Sequence, residues 1–115
     1  MRQLLIYHNE VRAGVLTEME PGSNYRFEYD KEYLNSPLPP ISITLPKTRF
    51  FYESQQLFPF FANLLPEGAL RRVVCREHHI DKNDLFGILY AMADADTIGA
   101  INFKTPNDEG KQSII

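Results

Sequence analysis

The sequence predicts an α+β domain: antiparallel β-strands (a hairpin, two further strands and a final strand) packed with about three helices in the second half. Before residue 46 the apolar side chains alternate with a period of two, and from about residue 54 to 93 they recur at helical spacing. The length of 115 residues fits a single unit, large enough to remove roughly two-thirds of its unfolded surface from water.

The first two β-prone runs, 3–7 (QLLIY) and 11–17 (VRAGVLT), are separated by His8, Asn9 and Glu10, a spacing that predicts a tight hairpin. Pro21 and Gly22 mark a turn, after which Tyr25, Phe27 and Tyr29 alternate with Arg26, Glu28 and Asp30 as in a strand with one buried face. A loop with Pro37, Pro39 and Pro40 leads to "ISITLP", read as a fourth strand through Ile41, Ile43 and Leu45 and stopped by Pro46.

Leu57, Phe58, Phe61, Leu64 and Leu65 then predict a helix, with Pro59 tolerated in its first turn, and Pro66 to Gly68 break it. A second helix begins near Glu67, and a third is expected to start at Asp81 as N-cap, with Asp84 in its first turn, running toward Ala93. "IGAINFKT" reads as the last strand. The domain is expected to span residues 1–105, followed by a polar, frayed tail at 106–115.

Composition narrows the function. Hydrophobic residues make up 43% and charged residues 23% of the chain, near globular averages. The net charge of -3 lacks the basic field that supplies most affinity for nucleic acid, so direct DNA or RNA binding is not expected. No apolar run reaches the roughly 20 residues of a membrane span, and the first ten residues hold too short a run for a signal peptide. The single cysteine, Cys75, fits a reducing compartment, and a cytoplasmic protein is expected.

The chemically suggestive clusters have simpler readings. Asp84-Leu85-Phe86-Gly87 mimics the metal-binding signature of protein kinases, but no glycine-rich loop or catalytic-loop motif accompanies it, and Asp84 is better read as a helix-start acid. Cys75, His78 and His79 share a helix segment, yet only one thiol is present, so a solvated helix face is expected rather than a metal or nucleophile site. Asp94 and Asp96 are too few for a divalent cation and are read as turn residues.

Two helical features point to binding. Ala69, Leu70, Val73 and Val74 fall on one arc of the second helix, while Arg72, Arg76 and His79 form a short basic stripe. That stripe is either plain solvated surface or a site for a carboxylate or phosphate. In the preceding helix Leu57, Phe58, Phe60, Phe61, Leu64 and Leu65 spread over roughly 160°, wider than the stripe of about 100° that faces one sheet. Its surplus edge packs either on the third helix or on another protein.

Taken in order, "GVLTEME", "FEYDKEYLNSPLPPISITLP", "FFANLLPEG" and "DTIGAINF" resemble the amino-terminal subdomain of the HipA-type toxin kinases. The resemblance runs over roughly residues 3–105 and rests on Gly14, Phe27-Glu28-Tyr29, Leu45-Pro46, Leu64-Leu65-Pro66-Glu67-Gly68 and Gly99-Ala100. The kinase portion of that family, with its ATP site, has no counterpart in this sequence. In the split, three-gene form of such systems the subdomain is a free antitoxin of the HipS type, acting on the kinase HipT while HipB binds DNA.

The resemblance therefore implies an antitoxin: a non-catalytic inhibitor of a HipT-like serine/threonine kinase toxin, with a HipB-like protein as a further partner, and without cofactor or metal. Its alternatives are a transcriptional co-regulator working through a helix-turn-helix partner, and an amino-terminal piece of a longer HipA-type kinase. Interface energy concentrates in aromatic and arginine anchors. The chain has no tryptophan, so Phe58, Phe60, Arg71 and Arg72, beside Glu67 and Arg76, are the expected contact residues.

Overall fold

A computed structural model of the chain describes residues 1–93 and 101–106. The first hairpin pairs β1 (Arg2–His8) with β2 (Val11–Glu20). Asn9 and Glu10 make the two-residue turn, both left-handed, with φ of 50° and 70°, as a turn that follows the right-handed strand twist requires. β3 (Ser23–Tyr29) returns across Pro21 and Gly22, whose φ of 75° suits glycine. A one-turn helix, α1 (Lys31–Leu34), follows.

The fourth strand is not where the alternation placed it. Residues 41–45 form a turn closed by the Leu45 N–H on the Ser42 carbonyl at 3.0 Å, with Ile41 and Leu45 buried and Ile43 exposed. The place beside β3 is taken by β4 (Phe51–Ser54), in register Tyr25 with Ser54 and Phe27 with Tyr52. Prolines at 40 and 46 bracket the segment, and a period of two describes a turn with two inward anchors as well as a strand.

The long first helix is also corrected. Only one turn, α2 (Pro59–Ala62), is helical. Phe58 is extended at φ -55° and ψ 135°, the conformation a following proline imposes. After Asn63 the chain tightens through i→i−3 bonds from Leu64 and Leu65. Leu57 and Phe58 thus precede the helix, each 7% exposed in the core.

α3 (Gly68–His78) starts at Glu67 and ends on His79 in the left-handed conformation, φ 55°. α4 (Leu85–Met92) is capped by Asp84, not Asp81; its carboxylate accepts the Gly87 N–H at 3.0 Å. Asp81 instead accepts the Asn83 N–H in the preceding turn at 2.7 Å. β5 (Ile101–Lys104) pairs with β1 and completes an antiparallel sheet of order β4-β3-β2-β1-β5. Residues Asp94, Asp96, Ile98 to Ala100 and the tail from 107 lie outside the described residues.

The core lies between one sheet face and the helices. Leu4, Ile6, Leu16, Tyr25, Phe27, Tyr29 and Phe103 form the sheet side, and Phe61, Leu65, Phe86 and Leu89 the helix side. Phe61 is central, its ring within 5.7 Å of Phe27 and 6.4 Å of Phe103 between centroids. On the opposite face aromatic rings are covered by cations, Arg26 over Phe51 at 4.1 Å and Lys104 over Tyr7 at 4.6 Å.

Candidate protein-binding surface

The residues expected to bind a partner separate in the structure. Phe58 belongs to the core, its ring 6.2 Å from that of Phe61, which corrects its assignment to the surface. Phe60 is half-buried and packs edge-on against Phe61 at 5.1 Å. Arg71 is half-buried because its Nε donates to the Pro66 carbonyl at 2.8 Å, clamping the turn from α2 into α3. Glu67, Arg72 and Arg76 are exposed.

Sequence periodicity missed Leu70. It shares one arc of α3 with Ala69, Val73 and Val74, yet Ala69 is exposed and Leu70 is 61% exposed, while Val73 and Val74 are half-buried and only Cys75 is buried. The helix lies at the margin of the core, so only the side carrying Val74 and Cys75 meets other elements. A leucine thereby stands in water on one flank of a short helix whose other flank carries Arg72 and Arg76. An exposed leucine and two exposed arginines on one helix suit contact with another protein. The absence of an aromatic or proline at 70 leaves no local signal that would have singled it out.

The ionic cluster at the other end of the sheet is structural. Glu18, 2% exposed, accepts from Arg2 Nε at 2.7 Å, from the Tyr25 hydroxyl at 3.2 Å and from the Gly22 N–H at 3.1 Å. Arg2 also grips Asp84, and this bond holds the Asp84 carboxyl below the usual aspartate range while raising the already high Arg2 pKa. Burial pushes the Tyr25 hydroxyl up to about 12. A cleft of ≈ 580 Å³ opens here, but both carboxylates on Arg2 are already paired. The kinase-like run Asp84 to Gly87 is thus a helix cap tied to a strand.

Cys75 is buried while His78 and His79 are exposed, so the three do not converge. Among the described residues no three His, Cys, Asp or Glu side chains gather as a metal site requires, and no helix is long and apolar enough to cross a membrane.

A family model described as the HipA N-terminal domain matches residues 4–104. An uncharacterised protein of Haemophilus influenzae is 36% identical over 76 residues, 66% of this chain and 67% of that one. A solved structure, the N-terminal domain of HipA toxin, superposes with a TM-score of 0.67 at 25% identity, covering 92% of this chain and 95% of that one.

Proposed function

The chain belongs to the HipA N-terminal domain family, and on that premise we propose that it is a non-catalytic antitoxin that binds and inhibits a HipT- or HipA-like serine/threonine kinase. The supporting observation is the exposure on α3 of Leu70 on one flank and of Arg72 and Arg76 on another. A domain that forms part of a kinase toxin in its relatives is suited to reoccupy, in trans, the surface against which it would otherwise pack. Burying Leu70 and pairing the arginines with carboxylates supplies affinity without any reacting group.

A HipB-like DNA-binding protein is the proposed third member of the complex, reached through the kinase rather than through direct contact of this chain with DNA. The action is assigned to the cytoplasm.

The test is co-expression with a kinase encoded beside this chain. Growth should be rescued and the two proteins should co-purify, with kinase autophosphorylation reduced. Leu70→Ser combined with Arg72→Ala should weaken binding at least tenfold while the free protein keeps its melting temperature. Rescue without co-purification would point away from inhibition by contact. Salt-sensitive operator binding by this protein alone would favour the co-regulator reading.

A further inference from the structure

The connection between α1 and β4 carries the most exposed large hydrophobic side chain among the described residues, Ile43 at 93%. A lone exposed isoleucine requires no explanation. The scaffold beneath this one does. Its neighbours Ile41 and Leu45 are buried, and the Tyr29 hydroxyl sits between them, accepting the Ile41 N–H at 3.2 Å and donating to the Leu45 carbonyl.

Other clamps hold the flanks. Tyr33 donates to the Pro39 carbonyl at 2.6 Å and Tyr52 to the Pro46 carbonyl at 2.7 Å. Lys47 Nζ bridges the Ser36 and Leu38 carbonyls at 2.8 and 2.7 Å. At the tip itself the Ser42 and Thr44 hydroxyls lie 2.8 Å apart, and the Thr44 N–H reaches the Ser42 hydroxyl at 3.2 Å.

A loop ordered in the free protein has already lost the conformational freedom that binding would otherwise remove, which makes a projecting apolar side chain an efficient anchor. The charge along the loop itself is of one sign. From Tyr33 to Tyr52 the sequence has Lys47 and Arg49 and no carboxylate, so the remainder of the chain carries −3 − (+2) = −5. Arg49 is exposed and touches the Phe51 and Tyr52 rings, with no carboxylate contact among the described residues.

We propose that this tyrosine-clamped loop is a second docking element, separate from α3, with Ile43 entering an apolar pocket rimmed by carboxylates on the kinase partner. The proposal rests on the kinase-binding reading above for the identity of that partner. A second copy of this chain is a poor occupant, because a twofold contact through these loops would set two cationic segments against each other. An anionic lipid surface is disfavoured by the acidity of the rest of the chain.

The decisive measurement is the affinity of the full chain for the co-encoded kinase, by calorimetry, for wild type, Ile43→Ser, Arg49→Ala and Tyr29→Phe. Ile43→Ser should weaken binding more than tenfold with an unchanged melting temperature. Arg49→Ala should weaken it several-fold, with a reduced dependence on salt. Tyr29→Phe, which alters no exposed group, should weaken it by loosening the loop, a change read separately as faster proteolysis of the loop in the free protein.

Affinity for Ile43→Ser within twofold of wild type, while the Leu70 variant binds poorly, would overturn the loop's role and leave the kinase reading intact. If the wild-type chain binds no such kinase, both readings fall. Dimerisation or adsorption to phosphatidylserine vesicles that Ile43→Ser abolishes would assign the loop to another occupant and overturn the proposal.

Discussion

Arg2 and Asp84, 82 positions apart in sequence, are joined by two hydrogen bonds of 2.8 and 3.2 Å, which fasten the start of α4 to the edge of the β1–β2 hairpin. Through Arg2 the buried Glu18 is drawn into the same cluster. The arrangement makes stability pH-dependent in a defined direction. Asp84 is held ionised mainly by its bond to Arg2, opposed by burial and helped by the Gly87 N–H.

A depressed folded pKa gives stability that is present above the unfolded value of about 4 and lost as pH falls through the folded value. Denaturation midpoints should therefore decline on acidification below about pH 4. Asp84→Asn, which still caps a helix but is neutral, should reduce that decline. An unaltered pH profile in Asp84→Asn would remove the ion pair from the account of acid stability.

Gly87 is expected to resist a substitution that helices ordinarily welcome. Alanine is better than glycine inside a helix by about 1 kcal/mol. Here its Cβ would collide with the Asp84 carboxylate and press on Ile80. Gly87→Ala should lower the melting temperature. In a double-mutant cycle the loss should shrink in an Asp84→Ala background, since the obstructing group is then gone.

Tyrosine ionisation offers a second pH test at the alkaline end. Burial pushes the Tyr25 and Tyr29 hydroxyls up to about 12. A raised folded pKa gives stability that is complete below the unfolded value near 10 and lost as pH rises through the folded value. In a tyrosinate absorbance titration part of the signal from the six tyrosines should appear only near pH 12, together with loss of structure. Tyr29→Phe should delete a share of that late signal and cost about 1–3 kcal/mol in chemical denaturation, because the Leu45 carbonyl and Ile41 N–H lose their partner.

At Gly14 the limit is backbone contact. β2 and β3 approach so closely there that a Cβ would overlap the Glu28 carbonyl. Gly14→Ala should destabilise by about 1–3 kcal/mol, the range for overpacking, even though alanine narrows the unfolded ensemble. A neutral or stabilising result in equilibrium unfolding would show that the strands can separate without loss.

The core and the candidate surface should respond differently to truncation. Phe61, fully buried among Phe27, Phe58, Phe60 and Phe103, should lose about 3–5 kcal/mol as alanine. Leu70→Ser should stay within about 0.5 kcal/mol of wild type in the free protein. Chemical denaturation of the two variants checks both, and a large loss at Leu70 would place it in the fold rather than at a surface.

The elements that were legible are those in which local pattern and burial agree. Tyr25, Phe27 and Tyr29 alternate in sequence and point into the core, and the gap from His8 to Glu10 holds the turn, at Asn9 and Glu10, with His8 ending β1. The pattern misled where one spacing serves two geometries. Ile41, Ile43 and Leu45 read as a strand but form a turn with its middle residue outside. Leu57 to Leu65 read as one amphipathic helix, whereas Pro59 and Pro66 confine it to a single turn. Of the candidate site, the basic stripe of Arg72 and Arg76 is legible and exposed, Phe58 lies in the core rather than at the surface, and the shared arc of Leu70 with Val73 and Val74 carries no sign that Leu70 is exposed.

The sequence by itself determined the α+β order, the strand faces, the turn chemistry at Pro21-Gly22 and Pro66 to Gly68, and the family resemblance, because these depend on neighbours within a few residues along the chain. Only the tertiary structure decided which apolar residues are covered. Leu70 stands in water because α3 lies at the rim of the core, and Ile43 because three tyrosine hydroxyls hold its loop in a turn. Burial is set by what arrives from distant parts of the chain, and periodicity along one segment carries no record of that arrival.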